Sequence, residues 1–273
     1  MNCILWQPDA VAFHLGPVPF TWYGVMVGLF FFAAYFTLDW QFKRGGINPD
    51  KAFNFLVAIF VGGIVGAFIF HRVFYEWNTL MRDPMHLFSV KQGLSGLSSH
   101  GVLAGNFVAG LIYAKRHHIR LLELADRCAF GGALSAVFIR TGNLLNSEVI
   151  GAPTDIPWAF CFTKIDTVPR HPSQIYEAFI GILIFVVLLF ADKKMGKENR
   201  PLGFMIGLCI TLFFSLRFIV EFFKERQAVS ENVVLSMGQF LSIPFALAGV
   251  ALIIYSLKTR APTSMPHSTG AES

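Results

Sequence analysis

Seven long apolar runs, separated by short polar stretches, set the pattern of this chain. They cover residues 21–40, 52–75, 94–114, 121–140, 173–191, 202–223 and 237–257. Each is about twenty residues long, the length a helix needs to cross a hydrocarbon core of ~30 Å. The pattern predicts an all-α, polytopic membrane protein with about seven transmembrane helices. The third run opens in a Gly/Ser-rich stretch, and the fourth carries Glu123, Asp126 and Arg127 in its first two turns. Residues 1–19 mix polar and apolar positions with Pro8, Pro17 and Pro19, and read as a segment lying on the surface. The longest connection, 141–172, reads as a head loop outside the membrane. Residues 1–260 then form a single transmembrane domain, and 261–273 a disordered tail.

Composition supports lipid-facing helices over a water-soluble core. Hydrophobic residues make up 54% of the chain, charged residues only 14%, and thirty residues are Phe. The net charge of +5 is carried in short loops, which suits topology signals and anionic lipid headgroups and argues against a nucleic-acid partner. Twelve lysines and arginines fall after runs one, three and five and in the tail, against six after runs two, four and six. The positive-inside rule therefore predicts an outer N-terminus, an outer head loop and a cytoplasmic C-terminus. No cleavable signal peptide is expected, because the first positive charge is Lys43. No repeat at a fixed period stands out.

The four cysteines, Cys3, Cys128, Cys161 and Cys209, have no metal-ligand spacing, so neither a metal site nor a disulfide framework is expected. Cys128 and Cys209 lie in apolar runs and read as core thiols. Cys3 and Cys161 both fall on the outer side and could pair, but free thiols are the expectation.

Four basic residues lie inside apolar runs: Arg72, Arg127, Arg140 and Arg217. A central arginine costs about 2.5–3.5 kcal/mol on insertion scales, so each needs a reason. Arg217 has Glu221 one turn later, an i,i+4 pair. Arg127 has Asp126 beside it and Glu123 one turn earlier. For Arg72 and Arg127 a structural role is expected, as interhelical pairs or snorkelling ends. Arg140 and Arg217 read as functional. Arg140 opens Arg-Thr-Gly-Asn-Leu-Leu-Asn-Ser-Glu at a helix end, where a guanidinium beside amides is suited to hold a phosphate. The polar groups of Asn143, Asn146 and Glu148 could otherwise be a solvated loop. A second cluster, Arg170-His171-Pro172-Ser173-Gln174-Ile175-Tyr176-Glu177, opens the next run. It reads as a capped helix start, and also as a set of donors with one carboxylate close to the Asn-rich segment. His100, among Ser and Gly at the start of the third run, is either a satisfied core residue or a base in a partly wet cavity. Tyr23 is either an interfacial aromatic or part of a site.

These residues resemble the prolipoprotein diacylglyceryl transferase family. Its signature, close to G-R-x-G-N-F-x-N-x-E-x-x-G, is matched at Arg140, Gly142, Asn143, Asn146, Glu148 and Gly151. The Arg-His-Pro-Ser-Gln-x-Tyr-Glu motif stands at residues 170–177. Arg217 and Glu221 fit the late Phe-Arg-x-x-x-Glu-Phe-Phe element, in which Leu216 replaces the first Phe. Trp22-Tyr23-Gly24 and Ser236-Met237-Gly238-Gln239 complete the set in family order. Departures are Ile139 and Leu144 in the signature, and His100-Gly101-Val102 for His-Gly-Gly. Gly66-Ala67-Phe68 stands where Gly-Gly-Arg is usual, with Arg72 one turn further on as a substitute cation.

The resemblance implies transfer of an sn-1,2-diacylglyceryl group from phosphatidylglycerol to the lipobox cysteine of a prolipoprotein, in the bacterial inner membrane. Products are a thioether and glycerol phosphate, and no cofactor or metal is required. It implies catalytic roles for Tyr23, His100, Arg140, Asn143 and Asn146, with His100 as base or proton relay. Substrate binding falls to Arg140, Glu148, Gly151, Glu177, Arg217 and Glu221, the carboxylates positioning arginines rather than acting as bases. The competing readings are a catalytically weak relative that binds lipid or preprotein, and a small-solute transporter.

Overall fold

The computed structural model describes residues 3–85, 98–225 and 235–263. In chain order its elements are β1 (Ile4–Trp6), β2 (Val11–Leu15), β3 (Val18–Thr21), α1 (Trp22–Arg44), α2 (Asp50–Tyr75), α3 (Trp77–Arg82) and α4 (Ser99–Arg116). There follow α5 (Leu121–Leu145), β4 (Phe160–Phe162), β5 (Pro169–Arg170), α6 (Ser173–Lys194), α7 (Phe204–Val220) and α8 (Met237–Thr259). They form two compact units, one of Met1–Gly46 with Ala125–Ser273, the other of Ile47–Leu124.

Among the described residues, six helices are long and apolar enough to cross a membrane: α1, α2, α5, α6, α8, and α7 with its continuation to Phe223. The predicted third run begins outside the described residues. Its described part, α4, falls short of that criterion, because its eighteen residues include His100, Asn106, Lys115 and Arg116. Its glycines serve packing. A Cβ on Gly105 would lie 2.0 Å from the Gly62 carbonyl oxygen, and one on Gly66 2.3 Å from that of Gly101. Two Gly-x-x-x-Gly faces thus bring the backbones of α2 and α4 together, the packing that works where the solvent is itself apolar.

In the first unit α5, α6 and α7 meet over Ala129, Phe130, Ala133, Ile184, Leu188 and Met205. Outward faces carry exposed Phe32, Phe179, Phe190 and Phe240, the distribution of a protein solvated by lipid chains. The charges in the first turns of α5 have structural partners. Arg127 donates to the Gln41 carbonyl at 2.6 Å and to Glu198 at 2.9 Å. Arg44 and Arg200 both hold Asp192 at 2.6 Å. Asp126 accepts the N–H groups of Gly203 and Ile206 at 2.6 and 2.9 Å, capping the start of α7 from a neighbouring helix. Burial pushes the Glu198 carboxyl up, but Arg127 and Arg44 outweigh it and hold the group below its ordinary value.

The N-terminal segment and the head loop depart from the helical expectation. β1 pairs in parallel with β4, and β4 antiparallel with β5; β2 and β3 form a hairpin. Short strands of two to five residues leave little alternation to read. Cys3 and Cys161 form a disulfide that ties β1 to the head, contrary to the expectation of free thiols. The head loop is also shorter than its sequence boundaries, because α5 continues five residues beyond Arg140. Residues 261–263 are not disordered: Thr263 is buried, and its hydroxyl donates to the Arg200 carbonyl at 3.0 Å. The rest of the tail lies outside the described residues.

Alkylated after denaturation without reductant, the protein will take up label at Cys128 and Cys209 only, and at all four cysteines after reduction. Label at Cys3 or Cys161 before reduction contradicts the pairing.

Candidate functional site

The continuation of α5 places Arg140 and Asn143 three residues apart on one helical face. Arg140 Nη1 donates to Asn143 Oδ1 at 3.1 Å. The amides of Asn143 and Asn146 donate in turn to the two oxygens of Glu148, at 3.1 and 3.3 Å. Glu148 folds back over the helix end because Ser147 and Val149 on either side take φ of 57° and 56°. A β-branched residue in that region is a true outlier, with a strain of about 1–3 kcal/mol, so the turn must be held from outside.

It is held by the second cluster. Ser173 Oγ donates to the Val149 carbonyl at 3.0 Å, and Gln174 Nε2 to the Glu148 carbonyl at 2.7 Å. The cap expected at the start of α6 is therefore absent: no side chain caps that end. The donors clamp the strained turn instead, the other role read from the sequence. Arg170 fixes the same loop by donating to the Gly151 carbonyl at 3.2 Å while it grips Asp166 at 2.6 Å. That hydrogen bond holds the Asp166 carboxyl below its usual value. A Cβ on Gly151 would lie 2.1 Å from the His171 carbonyl oxygen, which gives the glycine a packing reason.

One turn into α6, the buried Glu177 gathers cations from three elements. Its Oε2 lies 2.9 Å from Arg140 Nε. Its Oε1 lies 2.9 Å from Lys224 Nζ and 3.6 Å from Arg217 Nη1. The expected pair of Arg217 with Glu221 does not form. The α-helix ends at Val220 and tightens into a 3₁₀ turn over Glu221–Phe223. Glu221 thereby leaves the i,i+4 line and faces Lys224 at 3.6 Å instead. Arg217 and Arg140 keep 28% and 18% of their side-chain surface exposed, against 6% for Glu177. The face offered by this cluster is therefore cationic.

Lys224 is the member that the sequence reading left among loop charges. The only signal was its place three residues after Glu221. Its backbone bridges to Gly151, and Ala152 N–H donates to the Phe223 carbonyl at 2.9 Å. Burial pulls its ammonium below the ordinary lysine value, against the pull of Glu177. Tyr23 lies beside the same helix end, where a Cβ on Gly142 would be 2.9 Å from its ring. A groove of about 200 Å³ between α5 and α6 runs from Arg140 past Val137, Leu144, Ile175, Phe179 and Ile182.

Among the other candidates, His100 belongs to the second unit. It is exposed in the first turn of α4, its ring centroid 6.3 Å from that of Phe70. Arg72, also in that unit, pairs with Glu76 at 2.9 Å and lies over the Phe68 ring at 4.1 Å. Its charge thus flanks the position where the family pattern has arginine.

A Cβ on Gly238 would come within 2.4 Å of the Glu221 carboxylate. That contact is the flexible end of a side chain, which can swing aside. The Gly151 contact is backbone, so Gly151→Ala will lower the melting temperature by several degrees, as ~1–3 kcal/mol of overpacking does. A thermal unfolding scan checks this, and an unchanged melting point contradicts the close approach.

Residues 10–255 match the family model described as prolipoprotein diacylglyceryl transferase. A protein of Tolumonas auensis named phosphatidylglycerol–prolipoprotein diacylglyceryl transferase is 38% identical over 260 residues, covering 94% of this chain and 99% of its own. A protein of the same name from Chloroherpeton thalassium is 39% identical over 260 residues, 93% of this chain and 95% of its own. One from Geobacter sulfurreducens is 36% identical over 251 residues, 90% and 94% of the two chains. With the polar residues of the signature gathered at one helix end, and these matches running nearly end to end, the chain belongs to the prolipoprotein diacylglyceryl transferase family.

Proposed function

We propose that this protein transfers the sn-1,2-diacylglyceryl group of phosphatidylglycerol to the lipobox cysteine thiol of a prolipoprotein. The observation that carries the proposal is the partly exposed guanidinium pair, Arg140 and Arg217, converging on the buried Glu177. The names of the similar proteins supply both substrates. In the reaction the thiol sulfur forms a bond to the diacylglyceryl carbon that carries the phosphate. The bond from that carbon to the phosphate oxygen breaks, and glycerol phosphate leaves with the electron pair. A free thiol of pKa near 8.5 is only a few per cent thiolate at neutral pH, so a base speeds the attack; His100 is assigned as base or relay.

Negative charge grows on the leaving oxygen, and Arg140 and Arg217 stabilise it there. Asn143 and Asn146 orient the headgroup, with Glu148 fixing both amides. Tyr23 flanks the same end of α5. Glu177 and Glu221 set the positions of the cations, and Gly151 lets the loop close on His171. The apolar groove leading away from Arg140 suits an acyl chain.

The protein is a multi-pass membrane protein, and we place its N-terminus outside and its C-terminus in the cytoplasm. The excess of basic residues in the opposite loops and the Cys3–Cys161 disulfide support this, since disulfides persist in an oxidising space. We also count α4 as the seventh crossing. Arg127 at the start of α5 bonds to the Gln41 carbonyl at the end of α1. Those ends share a membrane side, so α2 and α4 between them make an even number of crossings. In this reading residues 1–260 make one transmembrane domain.

The test is a transfer assay with purified protein in detergent, phosphatidylglycerol and a peptide bearing one lipobox cysteine. Mass spectrometry of the unaltered protein's reaction will show a thioether-linked diacylglyceryl adduct. Arg140→Ala, correctly folded, will make it at least about 100-fold more slowly, the scale of losing one charged donor at the leaving group. An absent adduct, or a fully active Arg140→Ala protein, contradicts the proposal.

A further inference from the structure

We propose that Lys224 is a positioning residue that gives this site its surplus positive charge, and thereby selects a lipid whose headgroup carries a phosphodiester without a cation of its own. The inference rests on the transferase reading given above.

Among the described residues, three cations, Arg140, Arg217 and Lys224, contact two carboxylates, Glu177 and Glu221. Three positive charges less two negative leave one positive charge; without Lys224 the sum is zero. Glu148 stands outside this group, its oxygens accepting from the amides of Asn143 and Asn146. A neutral cluster attracts a zwitterionic headgroup about as well as an anionic one, whereas a singly positive cluster favours the anion.

Position matters as much as charge. Lys224 Nζ sits 2.9 Å from Glu177 Oε1, while Arg217 reaches the same oxygen only at 3.6 Å. The ammonium occupies the carboxylate from its buried side and leaves Arg217 loosely held, 28% exposed and free to meet a phosphate. Remove the ammonium, and Glu177 draws Arg217 into a close pair and withdraws it from the substrate. Lys224 itself keeps only 7% of its side-chain surface exposed, so it acts through Glu177. Its backbone is fixed on the Gly151 strand bridge, and its own N–H donates to the Glu221 carbonyl at 3.3 Å. The ammonium is thereby aimed inward by the same 3₁₀ turn that redirects Glu221.

The experiment uses the full chain in mixed micelles, with a single-cysteine lipobox peptide and either phosphatidylglycerol or phosphatidylethanolamine as lipid. Lys224→Met will raise the KM for phosphatidylglycerol about ten-fold or more, with a much smaller fall in kcat, and will narrow the preference over phosphatidylethanolamine. Lys224→Arg will restore both values. Adding Glu221→Gln to Lys224→Met returns the sum to one positive charge and will recover only the part of the KM that charge accounts for, since Glu177 still holds Arg217. A merely structural lysine would lower kcat through lost folded protein and leave KM and lipid preference in place; that result overturns the inference. Should Lys224→Met fail to fold, Lys224→Gln decides. It keeps a donor for Glu177 without the charge and must raise the KM for phosphatidylglycerol, and an unchanged value overturns the inference. If the unaltered protein makes no adduct with phosphatidylglycerol, the transferase reading falls, and the Lys224 inference falls with it.

Discussion

A single carboxylate, Glu177, organises the polar end of the first unit. Buried, and approached by Arg140 from α5, Arg217 from α7 and Lys224 from the turn beyond, it lets three like charges stand within a few ångströms of one another. Without it their repulsion in a poorly solvated setting would scatter the side chains or unpick the helix ends. With it the arginines are held together and partly exposed, which is the arrangement a phosphate ester requires. Every other feature of the region serves that arrangement. The α5 extension brings Asn143 alongside Arg140, the 3₁₀ turn aims Lys224, and Ser173 and Gln174 hold the strained Glu148 turn.

The first unit also separates two kinds of charge cluster. In the one formed by Arg44, Arg127 and Arg200 with Asp126, Asp192 and Glu198, charges balance and hydrogen bonds are dense. It locks the ends of α1 and α6 and the starts of α5 and α7. The Glu177 cluster has looser contacts, a strained backbone beside it and cations that remain partly exposed. Glycines adjust the second cluster: Gly142 admits the Tyr23 ring, Gly151 the His171 backbone and Gly238 the Glu221 carboxylate. At Gly142 and Gly238 a single methyl group would move a functional side chain, and at Gly151 it would meet main chain.

Hydropathy made the helices legible, because a span that faces lipid needs about twenty apolar residues whatever its neighbours are. α4 is helical where the third run predicted, but His100, Asn106, Lys115 and Arg116 keep it less apolar than the other six. The strands β1, β4 and β5 left no pattern, being too short and fixed by each other and by the Cys3–Cys161 bond across 158 residues. The site was legible where its partners are near in sequence: Arg140 with Asn143, and Asn143 and Asn146 with Glu148. Long-range partners were not. Arg217 belongs to Glu177 rather than Glu221 because the helix changes type at Glu221, a local event that periodicity does not record. Lys224 was hidden for the same reason, as a loop lysine by sequence and a buried one by structure.

The central claim is that the Glu177-held cations bind the lipid phosphate. Native mass spectrometry of the unaltered protein and of an Arg140→Gln/Arg217→Gln protein, both loaded with phosphatidylglycerol, tests it most directly. The unaltered protein should retain one phosphatidylglycerol through detergent removal, and the double variant, folded to the same melting point, should release it. Equal retention by both would place the phosphate elsewhere and contradict the account.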